Sequence, residues 1–364
     1  FIVFLIKNKI NIWQGKLRYG LLIYVILLTL ISLRLPDEYP AYLLLIVLIP
    51  ILYLILYLFI SSSIKGDKRR YIGELFMLAG LFLSIHAVNY VINTDLQIVV
   101  DNIKRGISRA YSFPQVNITA IILNMTILTT ISIIVLKPKN IIYQLSLIPQ
   151  CFAMVITASR AGILLCGFFL IISVFILYHK RPSNFYFFSR FIFVLIILFV
   201  VLVPTGLFKN ILDHLIESFK VKDPTTGRID LIKEALEHFK NNPLIGKGIL
   251  GLIEIRTKVI DGNTITLYSF YSFHNFVVQV LAMSGILGLI CVIYHYFEIF
   301  RLLFKKVDSH RLCIILVIVC STIHGLVDNV FFMIHYTVMS FILFGMLEAY
   351  DKSKLNKQKL INKQ

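Results

Sequence analysis

Signatures for nucleotide hydrolysis and zinc chemistry are missing: the chain has no Walker-type loop and no HExxH helix. Its five cysteines, Cys151, Cys166, Cys291, Cys313 and Cys320, form no CxxC pair and all fall in apolar runs. They read as buried thiols rather than a disulfide or metal framework. Neither a metal centre nor a cofactor is expected. Charge is sparse, at 15% of the 364 residues, and acids are scarcer than bases: 19 Asp and Glu against 36 Lys and Arg, a formal balance of +17. There is no internal repeat and no pair of matching interrupted helices, which argues against a secondary transporter.

Apolar residues dominate, at 58% of the chain with a mean hydropathy of +0.84. A soluble domain is nearer half apolar, so the chain belongs in a bilayer. Runs long enough to span fall near 20–34, 41–60, 73–93, 118–136, 141–158, 161–178, 191–208, 273–299, 312–328 and 331–347. The fold expected is therefore an all-α polytopic membrane protein of about ten transmembrane helices. The opening "FIVFLI" is too short to span and reads as the end of an earlier helix or a truncated start, which would raise that count.

Alternating the sides of the bilayer puts 22 of the 36 Lys and Arg into the segments 7–19, 61–72, 137–140, 179–190, 301–311 and 349–364. Positive loops stay in the cytoplasm, so the basic balance is a topology signal and nucleic acid is not needed to explain it. On this topology residues 1–208 form the first part of the bundle and 273–347 the last part. Residues 209–272 form a large extracytoplasmic loop, and 348–364 a basic cytoplasmic tail. Within the loop, Ile229, Ile232, Ala235, Leu236 and Phe239 recur at helical spacing, which predicts an amphipathic helix over 228–240. Thr225 or Thr226 caps its start, and Asn241-Asn242-Pro243 stops it.

Several polar residues lie at the outer ends of spans. Arg228, in the first turn of the loop helix, either seats an anion beside free helix N–H groups or pairs with Asp230 or Glu234. Arg160, in "TASRAG", sits between two spans with almost no loop, where a charge is costly and tends to be functional; snorkelling is the plainer reading. Arg109 and Arg105 precede the span near 118, as ligand groups or as a solvated basic loop. His274 and Asn275 open the span after the long loop, where His274 is a candidate base or a structural interfacial histidine. His324 and Asp328 stand four apart, which would place both on one helical face. Lys247, between Gly246 and Gly248, lies in a possible anion nest or a plain flexible turn. The interior polar residues Asn124, Gln144 and Gln150 are few, which argues against a flippase. Several arginines and a histidine on one outer face suit an anionic, lipid-borne ligand.

The order of these motifs resembles the O-antigen ligase and polymerase family. "TASRAG" opens a span, "GRIDLIKEALEHFKNNPLIGKG" follows in a large loop, and "FHNFVVQVLAMSGILGL" starts the next span. The closest likeness covers about 157–297, with "SFPQVN" upstream and "HGLVDNVFF" downstream. Ile232 stands where the family often has an aromatic residue, and "FPQV" where many members read Asn-Pro-Asn. The resemblance implies a metal-independent, inverting glycosyltransferase without a cofactor, in the bacterial inner membrane. Its donor would be a glycan on undecaprenyl diphosphate, used at the extracytoplasmic face. Its acceptor would be another lipid-linked repeat for a polymerase, or lipid A-core for a ligase. Membrane lipids and a chain-length regulator are the further partners implied. By position, Arg160, Arg228 and Arg109 would hold the diphosphate and His274 would act as base. Asn275, Asp328, His324 and Lys247 would support them.

Overall fold

The computed structural model describes residues 17–33, 40–64, 68–94, 116–180, 228–260, 263–304, 308–328 and 333–361, with isolated positions between them. In chain order the helices are α1 (Arg18–Ser32), α2 (Ile49–Ser63, entered through a 3-10 run Ala41–Leu48), α3 (Lys68–Asn93), α4 (Val116–Leu136), α5 (Ile141–Leu145), α6 (Leu147–Ile156), α7 (Arg160–Lys180) and α8 (Arg228–Asn241). Strands β1 (Ile253–Ile260) and β2 (Asn263–Phe270) follow, then α9 (Phe276–Arg301), α10 (Ser309–Gly325) and α11 (Ile334–Ile361).

Among the described residues four helical stretches are long and apolar enough to cross a membrane: Leu43–Ser63, Lys68–Asn93, Val116–Leu136 and Phe276–Phe304. Shorter apolar helices occupy Arg18–Ser32, Ile141–Ile156, Arg160–Ile176, Ser309–Gly325 and Ile334–Ala349. A helical membrane protein is what the apolar runs predict. The span expected at 191–208 lies mostly outside the described residues, as does Arg109.

The chain divides into two compact units that interleave along the sequence. One comprises Phe1–Ile64, Gly227–Lys305 and Gly325–Gln364; the other comprises Lys65–Thr226 and Lys306–His324. In the first, α1 packs on α9 and α2 packs on α11. Small residues permit these contacts. A Cβ on Gly20 would lie 2.7 Å from the Cys291 carbonyl oxygen, and one on Gly345 would lie 3.0 Å from that of Tyr57. At one end Arg18 and Glu348, both buried, form an ion pair at 3.4 Å. His295 Nδ1–H donates to the Leu17 carbonyl at 2.8 Å, so both partner helices also hold the start of α1.

Helix α9 is broken. Gly285 has φ 60° and ψ −161°, which opens the i to i−4 ladder in the middle of an apolar span. Lipid cannot satisfy freed peptide groups, so another chain segment must. Residues 243–248, "PLIGKG", enter the break. Lys247 N–H and Gly248 N–H donate to Ala282 O (2.9 Å) and Met283 O (2.8 Å). In return Ile286 N–H and Leu287 N–H donate to Pro243 O (2.9 Å) and Leu244 O (3.2 Å). Gly246 and Gly248 take φ of 67° and 74°, the left-handed region open to glycine at little cost. The C-terminal end of α1 closes the turn, where Ser32 Oγ accepts the Ile249 N–H at 2.8 Å.

Strands β1 and β2 pair antiparallel from Ile253↔Phe270 to Ile260↔Asn263. The hairpin falls within 209–272, where the topology predicts a loop with one helix and no strand. The base of the hairpin is held by a small core in which Leu43 and Val47 of the 3-10 run meet Leu250 and Ile253.

In the second unit, α4 is buried from Ile118 to Val135 and serves as the axis on which α3, α6 and α7 pack. Several of its buried polar side chains find partners inside the protein, as most buried polar groups do. Asn124 Nδ2–H donates to Gly162 O at 3.2 Å, and Thr130 Oγ–H donates to Thr126 O at 2.7 Å. Gln150, from α6, donates to Ser146 O at 3.0 Å.

Candidate functional site

Among the described residues, two non-glycine positions have positive φ: Ala158 and His274, each at 50°. Such a conformation costs alanine about 1–2 kcal/mol, so the surroundings must impose it. Each falls at a motif expected to carry function: Ala158 two residues before Arg160, and His274 in the His-Asn pair.

In the second unit α6 stops at Ile156, and the left-handed Ala158 turns the chain into α7. Thr157 Oγ accepts the Ser159 N–H at 3.2 Å. Ser159 caps α7 through its hydroxyl, which accepts the Gly162 N–H at 3.3 Å and donates to Asn117 Oδ1 at 3.0 Å. Arg160 is then the first residue of the helix, half-buried, and makes no ion pair among the described residues. A Cβ on Gly162 would lie 2.7 Å from Ala120 Cβ, so close packing on α4 fixes the start of α7.

In the first unit, residues 271–275 leave the hairpin and enter α9. Tyr271 N–H donates to Leu252 O at 2.9 Å, which ties the segment to the hairpin base. Asn275 is extended and caps α9, its Oδ1 accepting the Val277 N–H at 2.9 Å and the Val278 N–H at 3.3 Å. Its Nδ2–H donates to Leu326 O at 2.8 Å. That last bond brings in residues 326–328, and His274 Nδ1 meets Asp328 Oδ1 at 2.7 Å. An ionised carboxylate can only accept, so the bond requires the proton on Nδ1 and leaves the Nε2 lone pair available. The imidazole is 40% exposed while the carboxylate is only 10% exposed. A half-open ring backed by a buried acid can take a proton from a hydroxyl.

Helix α8 docks on this segment. Tyr271 O–H donates to Glu234 Oε2 at 2.5 Å, and the His238 ring lies 5.7 Å from that of Phe273, which is fully buried. Burial, with the Lys247 charge beside it, holds His238 below the ordinary imidazole range. Asp230 pairs with Lys233 at 3.0 Å and Glu234 holds the tyrosine, so both acids expected to neutralise Arg228 are engaged elsewhere. Arg228 itself is half-buried at the start of α8 and makes no ion pair among the described residues.

Two expectations fail on geometry. His324 and Asp328 do not share a helical face, because α10 ends at Gly325 and Asp328 lies in the turn beyond it. That termination frees Asp328 to reach His274. Nor is Lys247 in an anion nest. The run "GKGILG" at 246–251 has the glycine spacing of a phosphate cradle, yet the amides of its first four residues are taken: Gly246 N–H by Asn242 O, Lys247 and Gly248 by α9, and Ile249 by Ser32. The structure thus unites His274, Asn275 and Asp328, and docks the helix bearing Arg228 on the same segment. Arg160 and His324 belong to the other unit. Sequence reasoning missed Tyr271 and Gln279, and named Glu234 for Arg228 rather than for Tyr271; an amide one turn inside an apolar helix is the signal that could have found Gln279.

The sequence profile of the O-antigen ligase family matches residues 145–293. The match runs from the end of α5 into α9 and takes in Arg160, Arg228, Lys247, His274 and Asn275. No curated protein matches the chain. The family likeness that the motifs imply is therefore found over those residues, in a membrane protein with transmembrane helices.

Proposed function

We propose, from the likeness to the O-antigen ligase family over residues 145–293, that the protein polymerises a bacterial surface polysaccharide, O-antigen or capsule. It transfers a glycan from undecaprenyl diphosphate to an acceptor sugar hydroxyl at the outer face of the inner membrane, with its C-terminus in the cytoplasm. His274 Nε2 accepts the acceptor hydroxyl proton as that oxygen attacks the anomeric carbon. The bond from that carbon to the phosphate oxygen breaks, undecaprenyl diphosphate leaves with the electron pair, and the carbon inverts. Asp328 holds the ring in the tautomer that this step needs and stabilises the imidazolium formed. Arg228 meets the leaving diphosphate, whose developing negative charge would otherwise dominate the barrier. Arg160 and Arg109 enter as further diphosphate contacts on the motif resemblance alone. Guanidiniums supply the charge that a metal ion would bring, so the reaction is metal-independent.

The observation that carries this reading is the 2.7 Å contact between His274 Nδ1 and Asp328. Its histidine lies within the residues that the family profile covers, and Nε2 is left open to serve as the base. The test is transfer by the purified protein in detergent and EDTA, with the lipid-linked glycan extracted from a strain lacking the gene. Product is expected with the wild type and none with His274→Ala. Full activity in the variant would remove the base.

The description of the matching family favours a second reading, an O-antigen ligase that passes the glycan to lipid A-core. Loss of a polymerase leaves lipid A-core with at most one repeat, or removes capsule. Loss of a ligase leaves lipid-linked polymer unattached.

A further inference from the structure

Gln279 lies one turn inside α9 and is fully buried in an apolar helix. An amide taken out of water is costly unless its groups are hydrogen-bonded, and in lipid the cost is higher. Its side chain turns back towards the segment before His274. Oε1 accepts the Phe273 N–H at 3.0 Å, and Nε2–H donates to the Tyr271 carbonyl at 3.1 Å. One rigid planar group thus grips two peptide units just before the residue whose φ is 50°. The same two residues contact α8, Tyr271 through Glu234 and Phe273 through His238. Asn275 grips the other side of His274 by capping α9 and donating to Leu326 O.

A left-handed histidine held only by its own preference would sample other conformations, since φ > 0 is uncommon outside glycine. Relaxation of φ would swing the imidazole off Asp328 and off any acceptor hydroxyl. Buried where it is, Gln279 acts through the backbone of His274.

We propose that Gln279 is a positioning residue: it locks residues 271–273 so that His274 keeps the backbone conformation placing Nδ1 on Asp328 and leaving Nε2 open. The inference rests on the reading of His274 as the base, and its tests separate the two. The substrate-free measurement is backbone amide exchange of the segment 271–276 in detergent. Gln279→Leu, of similar volume but without hydrogen bonds, is expected to exchange at least tenfold faster there, with helix content and monodispersity as in the wild type. Unchanged exchange would overturn the proposal whatever the activity.

With the lipid-linked glycan extracted from the deletion strain as probe, Gln279→Leu is expected to lower kcat on the order of 100-fold, the usual cost of an ångström-scale misplacement. Its half-saturation for that glycan stays within about twofold, because Gln279 contacts no substrate. A variant with kcat near that of the wild type, or one whose loss lies in half-saturation alone, overturns the positioning role while leaving His274 as base. Full activity in His274→Ala removes the base itself. Should Gln279→Leu fail to fold, Gln279→Glu decides. Its protonated carboxyl offers an acceptor and a donor in the same places, whereas its ionised form repels the Tyr271 carbonyl. Its kcat relative to the wild type should therefore rise as pH falls; a flat ratio overturns the proposal.

Discussion

Replacing Gly246 by alanine puts a methyl group where the backbone of α9 passes. The new Cβ would lie 2.4 Å from Met283 C and from Ser284 N, both main-chain atoms that no rotamer change can move. The φ of 67° is itself unfavourable for alanine by about 1–2 kcal/mol. Relief requires the "PLIGKG" segment and the broken helix to part, which loses the four reciprocal hydrogen bonds to Ala282, Met283, Pro243 and Leu244. At about 0.5–1.5 kcal/mol each, with the conformational cost added, the destabilisation is about 3–8 kcal/mol. That is a large share of a typical folding stability of roughly 5–15 kcal/mol. The control is Gly167→Ala in α7, where an added Cβ meets no described atom within 4 Å and helix propensity favours alanine. The assay is the temperature at which half of the purified protein in detergent is lost from the monodisperse peak. Gly246→Ala should fall by several degrees while Gly167→Ala holds or rises. Equal midpoints would refute the reasoning that backbone contact between these segments seals the break.

Asp328→Asn retains the size of the side chain and loses the carboxylate that fixes the His274 tautomer. Turnover should fall about 100-fold or more with little change in half-saturation, and kinetics matching the wild type would remove the acid from the mechanism. Glu348→Gln removes the buried carboxylate paired with Arg18 and should destabilise by about 3–5 kcal/mol, whereas Arg18→Met with Glu348→Leu should recover most of the loss; thermal midpoints decide. His238 is held low by burial among the residues on which α8 docks, next to Lys247 and against the opposing pull of Glu234 and Glu237. As pH falls below the ordinary value of 6.5, the unfolded chain takes a proton that the folded one resists, so acid weakens this docking. Protection factors over 228–241, with the intrinsic exchange rate at each pH divided out, should fall from pH 7.5 to about 5.5, and His238→Gln should abolish the difference; wild-type protection insensitive to pH would contradict the assignment.

Several features were open to reading in one dimension because their causes are local. Long apolar runs specify helices for lipid whatever lies beside them, and the spacing of Ile229, Ala235 and Leu236 specifies α8, found at Arg228–Asn241. The β hairpin has a local signal too, since Asp261-Gly262 separates two runs that contain several β-branched residues. The "TASRAG" and "FHNF" motifs could be located, along with the residue types that suit a diphosphate and a base.

What the chain order could not disclose is pairing across distance. Asp328 stands four residues from His324, and helical spacing argues for that partner. The end of α10 at Gly325 instead gives it His274, 54 positions away. The amides around Lys247, between Gly246 and Gly248, could have met an anion, but a break at Gly285 claims those of Lys247 and Gly248. Gln279 looked like one polar residue in a span until its side chain was seen gripping two peptide groups. Hydrophobic period and capping act between neighbours along the chain, so sequence carries them. Hydrogen-bond partners are settled by which peptide groups lack a local mate once the helices have packed, and only the folded backbone holds that information.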